Sequence, residues 1–154
     1  MIKNLNQAVI SLGGRGTRLN SITKEVPKPL WPILGLHTLE RTLKKLKENG
    51  INKFVFLLNH KAEFFKKEKI LLEKKYNVLI QIYEEEQPRG EAGALIEILN
   101  YLDENFLFIN GDIIFSIDIN KINEFHINKN SDITFVTHTT DHPIDSDCII
   151  ESPS

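Results

Sequence analysis

Apolar positions along this chain fall into two alternating rhythms. Short runs rich in β-branched and aromatic residues read as strands: "QAVISL" (7–12), "KFVFLL" (53–58), "VLIQIY" (78–83), "FLFIN" (106–110) and "DITFVTH" (132–138). Between them lie longer stretches with helical spacing. "HTLERTLKKLKENG" places Leu39, Leu43 and Leu46 on one face and stops at Gly50, a residue type that closes helices. Residues 61–76 are predicted to turn Phe64, Phe65, Leu71 and Leu72 inward, leaving a lysine-rich solvated face. "EAGALIEILNYLDEN" aligns Ala92, Leu95, Leu99 and Leu102, and "DINKINEFH" (118–126) reads as a short helix. "CIIESPS" begins like a further strand, which suggests that residues 1–154 form the N-terminal part of a longer domain.

This alternation predicts an α/β fold: a Rossmann-like, doubly wound, mainly parallel sheet with helices on both faces, in three layers. A length of 154 residues suits one domain, and no internal repeat or linker breaks it. In such sheets, ligands bind at the carboxyl ends of the strands. The polar and glycine-rich stretches fall there: "GGRGTR" after the first strand, "EEEQPRGEAG" after the third, "NGD" after the fourth and "HTTDHPIDSD" after the fifth.

Composition narrows the partners. Nineteen basic and twenty-one acidic side chains give a net charge of −2, so no general basic surface is implied for nucleic acid or an acidic membrane. A lone cysteine, Cys148, excludes an internal disulfide and suits a reducing compartment. The N-terminal apolar run is too short for a signal peptide, and no segment is long and apolar enough to span a bilayer. A cytoplasmic protein is expected, with homo-oligomerisation left open.

The richest stretch is "SLGGRGTRLNSITKEVPKPL" (11–30). Gly13, Gly14 and Gly16 let backbone N–H groups approach an anion closely, and Arg15 and Arg18 add forks suited to phosphate oxygens. Lys28, between Pro27 and Pro29, is expected on a stiff, extended backbone. The pattern is neither a Walker A loop nor a dinucleotide fingerprint, since Leu19 stands where a third glycine would be.

"GGRGTRL" followed by "EVPKPL", with "QPRGEAGAL" and "FLFINGD" in chain order, resembles the sugar-1-phosphate nucleotidylyltransferases over nearly the whole chain. "HPIDSD" is further similar to the branch handling manno-configured sugars, including heptose 1-phosphate guanylyltransferases. The resemblance implies that a sugar 1-phosphate oxygen attacks the α-phosphorus of a nucleoside triphosphate and releases pyrophosphate, with Mg²⁺ as cofactor. By the same resemblance, Leu12 borders the base pocket, and Gly13, Gly14, Arg15, Gly16 and Thr17 cradle phosphates. Arg18 holds pyrophosphate, Lys28 neutralises charge between the reacting phosphates, Asp112 binds Mg²⁺ and Gly111 leaves room for the ribose.

Base choice follows from chemistry. Guanine offers N1–H and N2–H₂ side by side, and one carboxylate accepts both. Glu85, three residues before Pro88, stands where the family carries a base-reading residue, which favours GTP; with a small shift of register Glu84 or Glu86 takes its place, and the stretch also reads as an acidic loop. Gly90 lets the backbone pass close to the base.

Two positions depart from the family pattern: Leu12 replaces a usual alanine, and Glu91 replaces a small threonine or leucine. The family's second metal-binding aspartate is not matched by Asp141, Asp145 or Asp147. His138 and His142 read as a substrate-side or solvent loop, and His37, His60 and His126 as surface or helix-end residues. Trp31 is expected beneath the loop. A non-catalytic nucleotide-binding module with the same loop is the alternative to an enzyme.

Overall fold

The first strand becomes the centre of the sheet because its side chains are apolar on both faces. The computed structural model describes residues 5–14, 26–59, 61–87, 89–90, 93–139 and 149. In chain order its elements are β1 (Gln7–Ser11), β2 (Pro32–Ile33), β3 (Leu36–His37), α1 (Thr38–Glu48), β4 (Lys53–Leu58), α2 (Ala62–Tyr76), β5 (Leu79–Glu84), β6 (Leu107–Asn110) and α3 (Ile119–Asn128). Ala8, Val9 and Ile10 of β1 are fully buried. β4 and β6 flank β1 and β5 adds outside β4, giving a parallel sheet in the order β5-β4-β1-β6.

The chain winds outward from β1 to β5, then returns past β1 to form β6. The winding therefore reverses between β1 and β6, the place where such sheets open a crevice. The register sets Ser11 opposite both Leu57 and Asn110, so the carboxyl ends of three strands reach the same level.

Alternation along the strands builds two cores. Ala8, Ile10, Phe54, Phe56 and Ile80 face α1, α2 and α3, where Leu39, Leu43, Leu46, Phe65, Leu72 and Ile119 are buried. α1 meets its predicted face, and Gly50 follows its end at φ +93°, a conformation that favours glycine. Its first turn is capped by His37, whose Nδ1 accepts the Glu40 N–H at 3.0 Å. In α2 the buried stripe runs through Ala62, Phe65 and Leu72; Phe64 is half-buried and Leu71 is exposed, which corrects the predicted inward set. Positions 65 and 72 share one helical stripe, whereas each preceding residue turns about 100° away from it.

Buried Glu40 ties α1 to α2. Lys75 Nζ donates to its Oε1 at 2.6 Å and Tyr76 Oη at 2.7 Å. Burial raises the Glu40 pKa, but the hydrogen bonds from Lys75 and Tyr76 outweigh it and hold the carboxyl below its ordinary value. Burial, then Glu40, pushes the Tyr76 hydroxyl up to about 12.

The opposite face of the sheet is covered differently from expectation. Where one helix is predicted, the chain makes two 3₁₀ turns, Gly93–Ile96 and Leu99–Tyr101. Ala94 and Ile98 are buried against Val9, Val55 and Leu57, whereas Leu99 points to solvent; Ala92 lies outside the described residues. Gln7 closes the second turn. Its amide donates to the Tyr101 carbonyl at 2.8 Å and accepts the Asp103 N–H at 2.7 Å, engaging backbone groups that a longer helix would use. The three-layer α/β arrangement stands.

The predicted strand 132–138 is not formed. Ile133, Phe135 and Val136 are all exposed, and no described strand pairs with the outer edge of β6. No helix among the described residues is long and apolar enough to cross a membrane.

Candidate active site

A cleft of about 350 Å³ opens at the carboxyl ends of β1, β4, β5 and β6. Of the residues expected there, Leu12, Gly13, Gly14, Lys28, Glu85, Gly90 and Asp112 line it. Arg15, Gly16, Thr17, Arg18 and Pro88 lie outside the described residues, as do His60, Glu91, Asp141, His142, Asp145, Asp147 and Cys148.

The sheet's own hydrogen bonds place two of these side chains. Leu12 N–H donates to Leu57 O at 2.8 Å and Glu85 N–H to Leu58 O at 2.8 Å, so both residues extend their strands by one position. Gly13 follows, with little space for a side chain: a Cβ there would stand 3.2 Å from Asn59 Cβ and 3.8 Å from Glu85 Oε2. A Cβ on Gly14 would meet no described atom within 4 Å, and Gly90 has φ +81°.

Glu85 has the least satisfied chemistry in the cleft. Its Oε1 is the only buried side-chain polar atom without a hydrogen-bond partner among the described residues. Burying an unpaired acceptor costs about 1–3 kcal/mol, more for an ionised one, so such an atom calls for a partner beyond the described residues. The flanking acids do not share this position: Glu84 is paired outside with Lys66 at 2.8 Å, and Glu86 is exposed away from the lining.

At the other end, Lys28 Nζ donates to Asp112 Oδ2 at 2.7 Å, both side chains remaining about two-fifths exposed. Lys28 sits in a single 3₁₀ turn (Lys28–Leu30) rather than on extended backbone. Leu30 N–H donates to Pro27 O at 2.9 Å and Trp31 N–H to Lys28 O at 3.1 Å. Prolines fit the opening of such a turn because its first positions need no N–H donor. Pro29 is buried beneath the turn. Trp31 lies outside the cleft and donates its indole N–H to Val26 O at 3.0 Å.

Gly111 is buried behind the cleft. A Cβ there would fall 2.2 Å from Leu12 Cδ2 and 3.1 Å from Ser11 O, so Leu12 packs directly against the glycine. The glycine lets the chain leaving β6 pack directly on β1, with Gly111 N–H donating to Ser11 O at 2.9 Å.

Besides Pro29, which flanks Lys28, sequence reasoning missed three lining residues, Ser11, Asn59 and Asn110. Their signal is positional: each stands at the carboxyl end of a buried parallel strand, or just past it, where the sheet presents its polar edge. For a divalent cation, Asp112 is the carboxylate beside Lys28, and the described residues hold no cluster of three or more His, Cys, Asp or Glu. This donor set fits Mg²⁺, which keeps several waters and takes one or two carboxylates together with phosphate oxygens. His138 is exposed, its Nδ1–H donating to Thr139 O at 2.7 Å.

This geometry has relatives. A D-glycero-alpha-D-manno-heptose 1-phosphate guanylyltransferase of Campylobacter jejuni is 37% identical over 120 residues, 75% of this chain and 52% of that protein. The bifunctional protein GlmU of Methanococcus maripaludis is 37% identical over 115 residues, 75% of this chain and 26% of its own length. The crystal structure of HddC from Yersinia pseudotuberculosis complexed with GMP-PN matches with a TM-score of 0.71 and 30% identity, over 80% of this chain and 55% of that one. The chain thus spans about half the length of the guanylyltransferase and of HddC, and less of GlmU. Residues 7–146 match the model of the Nucleotidyl transferase family, and the chain belongs to that family.

Proposed function

We propose that this chain carries the nucleotide-binding half of a sugar-1-phosphate nucleotidylyltransferase that uses GTP and a manno-configured sugar 1-phosphate such as D-glycero-D-manno-heptose 1-phosphate. The observation that carries the base assignment is the buried, unpartnered Oε1 of Glu85. A carboxylate in that position accepts N1–H and N2–H₂ of guanine together; uracil and thymine offer one N–H between two acceptors and leave half of it unused. The similarity to a heptose 1-phosphate guanylyltransferase and to HddC supports the same base and sugar class.

In the reaction, an oxygen of the sugar 1-phosphate forms a bond to the α-phosphorus while the bond to the β-phosphate oxygen breaks, giving the nucleotide-diphosphate sugar and pyrophosphate. Little covalent chemistry falls to the protein; positioning and charge neutralisation do the work. Gly13 and Gly14 leave the β1 edge open for close approach of the triphosphate. Lys28 leaves Asp112 for the phosphates and neutralises charge that builds between them, while Arg18 takes the departing pyrophosphate. Asp112, once released by Lys28, would hold Mg²⁺, whose charge would offset that of the phosphates. A cytoplasmic setting suits these substrates and the single cysteine.

The test is pyrophosphate release by this chain with Mg²⁺, each nucleoside triphosphate in turn and a panel of sugar 1-phosphates. Release with GTP and a manno-type sugar is expected. Saturable GTP binding without release reduces the chain to a binding module, and release with UTP or dTTP in preference to GTP contradicts the base assignment.

A further inference from the structure

We infer that Asn59 is a second specificity-determining residue, its side-chain amide donating to the O6 carbonyl of the guanine whose N–H groups face Glu85. The inference rests on the guanine reading above. Asn59 follows the last residue of β4, is half-buried and lines the cleft. Its Cβ and Glu85 Oε2 both lie within 4 Å of where a Cβ on Gly13 would stand, so the two side chains flank one spot and Gly13 keeps it clear.

Its polar group is uncommitted. Asn49 donates to Lys45 O at 2.8 Å and Asn52 to Gly50 O at 2.7 Å, whereas the Asn59 amide makes no hydrogen bond among the described residues. Nor does it satisfy Glu85, whose Oε1 remains without a partner. Two adjacent side chains with free hydrogen-bonding capacity, facing one cleft, are arranged for a third party rather than for each other.

The chemistry is complementary. The guanine edge reads donor, donor, acceptor across N2, N1 and O6. Glu85 accepts from the two donors and has nothing to give O6, which would lose its water on entry without compensation. An amide NH₂ supplies the missing donor. Adenine turns an acceptor, N1, toward the carboxylate, so the pair disfavours it through Glu85.

Three nucleotides separate the contacts. GTP uses all three positions, inosine triphosphate lacks N2–H₂ and keeps O6 and N1–H, and 2-aminopurine riboside triphosphate lacks both O6 and N1–H, so it binds Glu85 more weakly but has nothing for Asn59 to contact. Asn59→Leu is expected to weaken GTP and inosine triphosphate by the same factor, about tenfold, and to leave the 2-aminopurine nucleotide unchanged. Asn59→Asp, which keeps the size but replaces the donor with an acceptor, is expected to weaken the first two at least as much. Equal loss for all three nucleotides, or loss for none, overturns the inference and leaves Asn59 a packing residue. Wild-type protein that discriminates GTP from inosine triphosphate yet shows no Asn59 effect sinks this inference alone. Failure to bind any of the three overturns the nucleotide reading and this inference with it.

Discussion

The two ends of the cleft are held in opposite states. Glu85 presents a buried oxygen with no partner among the described residues, while Lys28 and Asp112 satisfy each other 2.7 Å apart and half in solvent. An unpaired buried acceptor destabilises the empty protein and is relieved by a ligand with the right donors, so that end selects. An exposed ion pair contributes about 0–1 kcal/mol, so that end opens at little cost when phosphate and a cation arrive. Selectivity and reactivity are thereby assigned to different walls, and variants at the two ends should fail differently.

The largest effect is expected from Lys28→Ala. Turnover should fall by about 100-fold or more, with GTP affinity changed only modestly, as read from pyrophosphate release beside equilibrium binding. Equal turnover in that variant contradicts the role of the phosphate end. Glu85→Gln should do the reverse. Removing the carboxylate is expected to lower GTP affinity by about 10- to 100-fold, since hydrogen bonds to charged groups contribute about 1.5–3 kcal/mol, and to narrow the gap between GTP and UTP. The variant should also unfold at no lower denaturant concentration, because an amide oxygen is less costly to bury without a partner than a carboxylate oxygen.

Gly111→Ala sharpens the comparison from behind the cleft. Its Cβ would collide with Leu12 and crowd the Ser11 carbonyl, so a loss of about 1–3 kcal/mol in stability is expected by denaturant unfolding. Nucleotide selectivity among the folded molecules should be retained.

The smallest effect is expected at a polar cluster remote from the cleft. Tyr76→Phe should cost about 1 kcal/mol through the lost hydrogen bond to Glu40 and leave GTP binding unchanged. The fold favours the neutral Tyr76 hydroxyl, whose pKa is raised from 10.0 to about 12. That contribution is present below pH 10 and is lost as pH rises through about 12, a loss the variant should not show. Glu40 acts in the other direction: its lowered pKa contributes stability above the ordinary carboxylate range, lost as pH falls through the folded value.

Much of this was legible where each element has a neighbour to meet. β4 occupies the six residues that its apolar run marks, and Leu39, Leu43 and Leu46 are buried as the periodicity requires. The expectations that missed depended on partners the local pattern does not name. Residues 132–138 alternate like a strand yet pair with no described strand, and the stretch that begins at Gly93 ends at Tyr101, whose carbonyl is taken by a glutamine ninety-odd positions upstream. At the site, glycines and charges announced Gly13, Lys28, Glu85 and Asp112 as residues that meet in one cleft. Asn59 stayed hidden because an asparagine after a strand is also ordinary turn chemistry, and only the fold sets it beside Glu85. Gly111 was legible as a special position, but its reason, the Leu12 side chain, is a tertiary contact.

The central claim is that the Glu85 end of the cleft selects guanine. Its most direct test is an equilibrium titration of this chain with GTP, ATP, CTP, UTP and dTTP under identical Mg²⁺ and salt. The account predicts saturable GTP binding at least about tenfold tighter than any other nucleotide, with the preference lost in Glu85→Gln. Equal affinities, or a preference for UTP or dTTP that survives in Glu85→Gln, would contradict it.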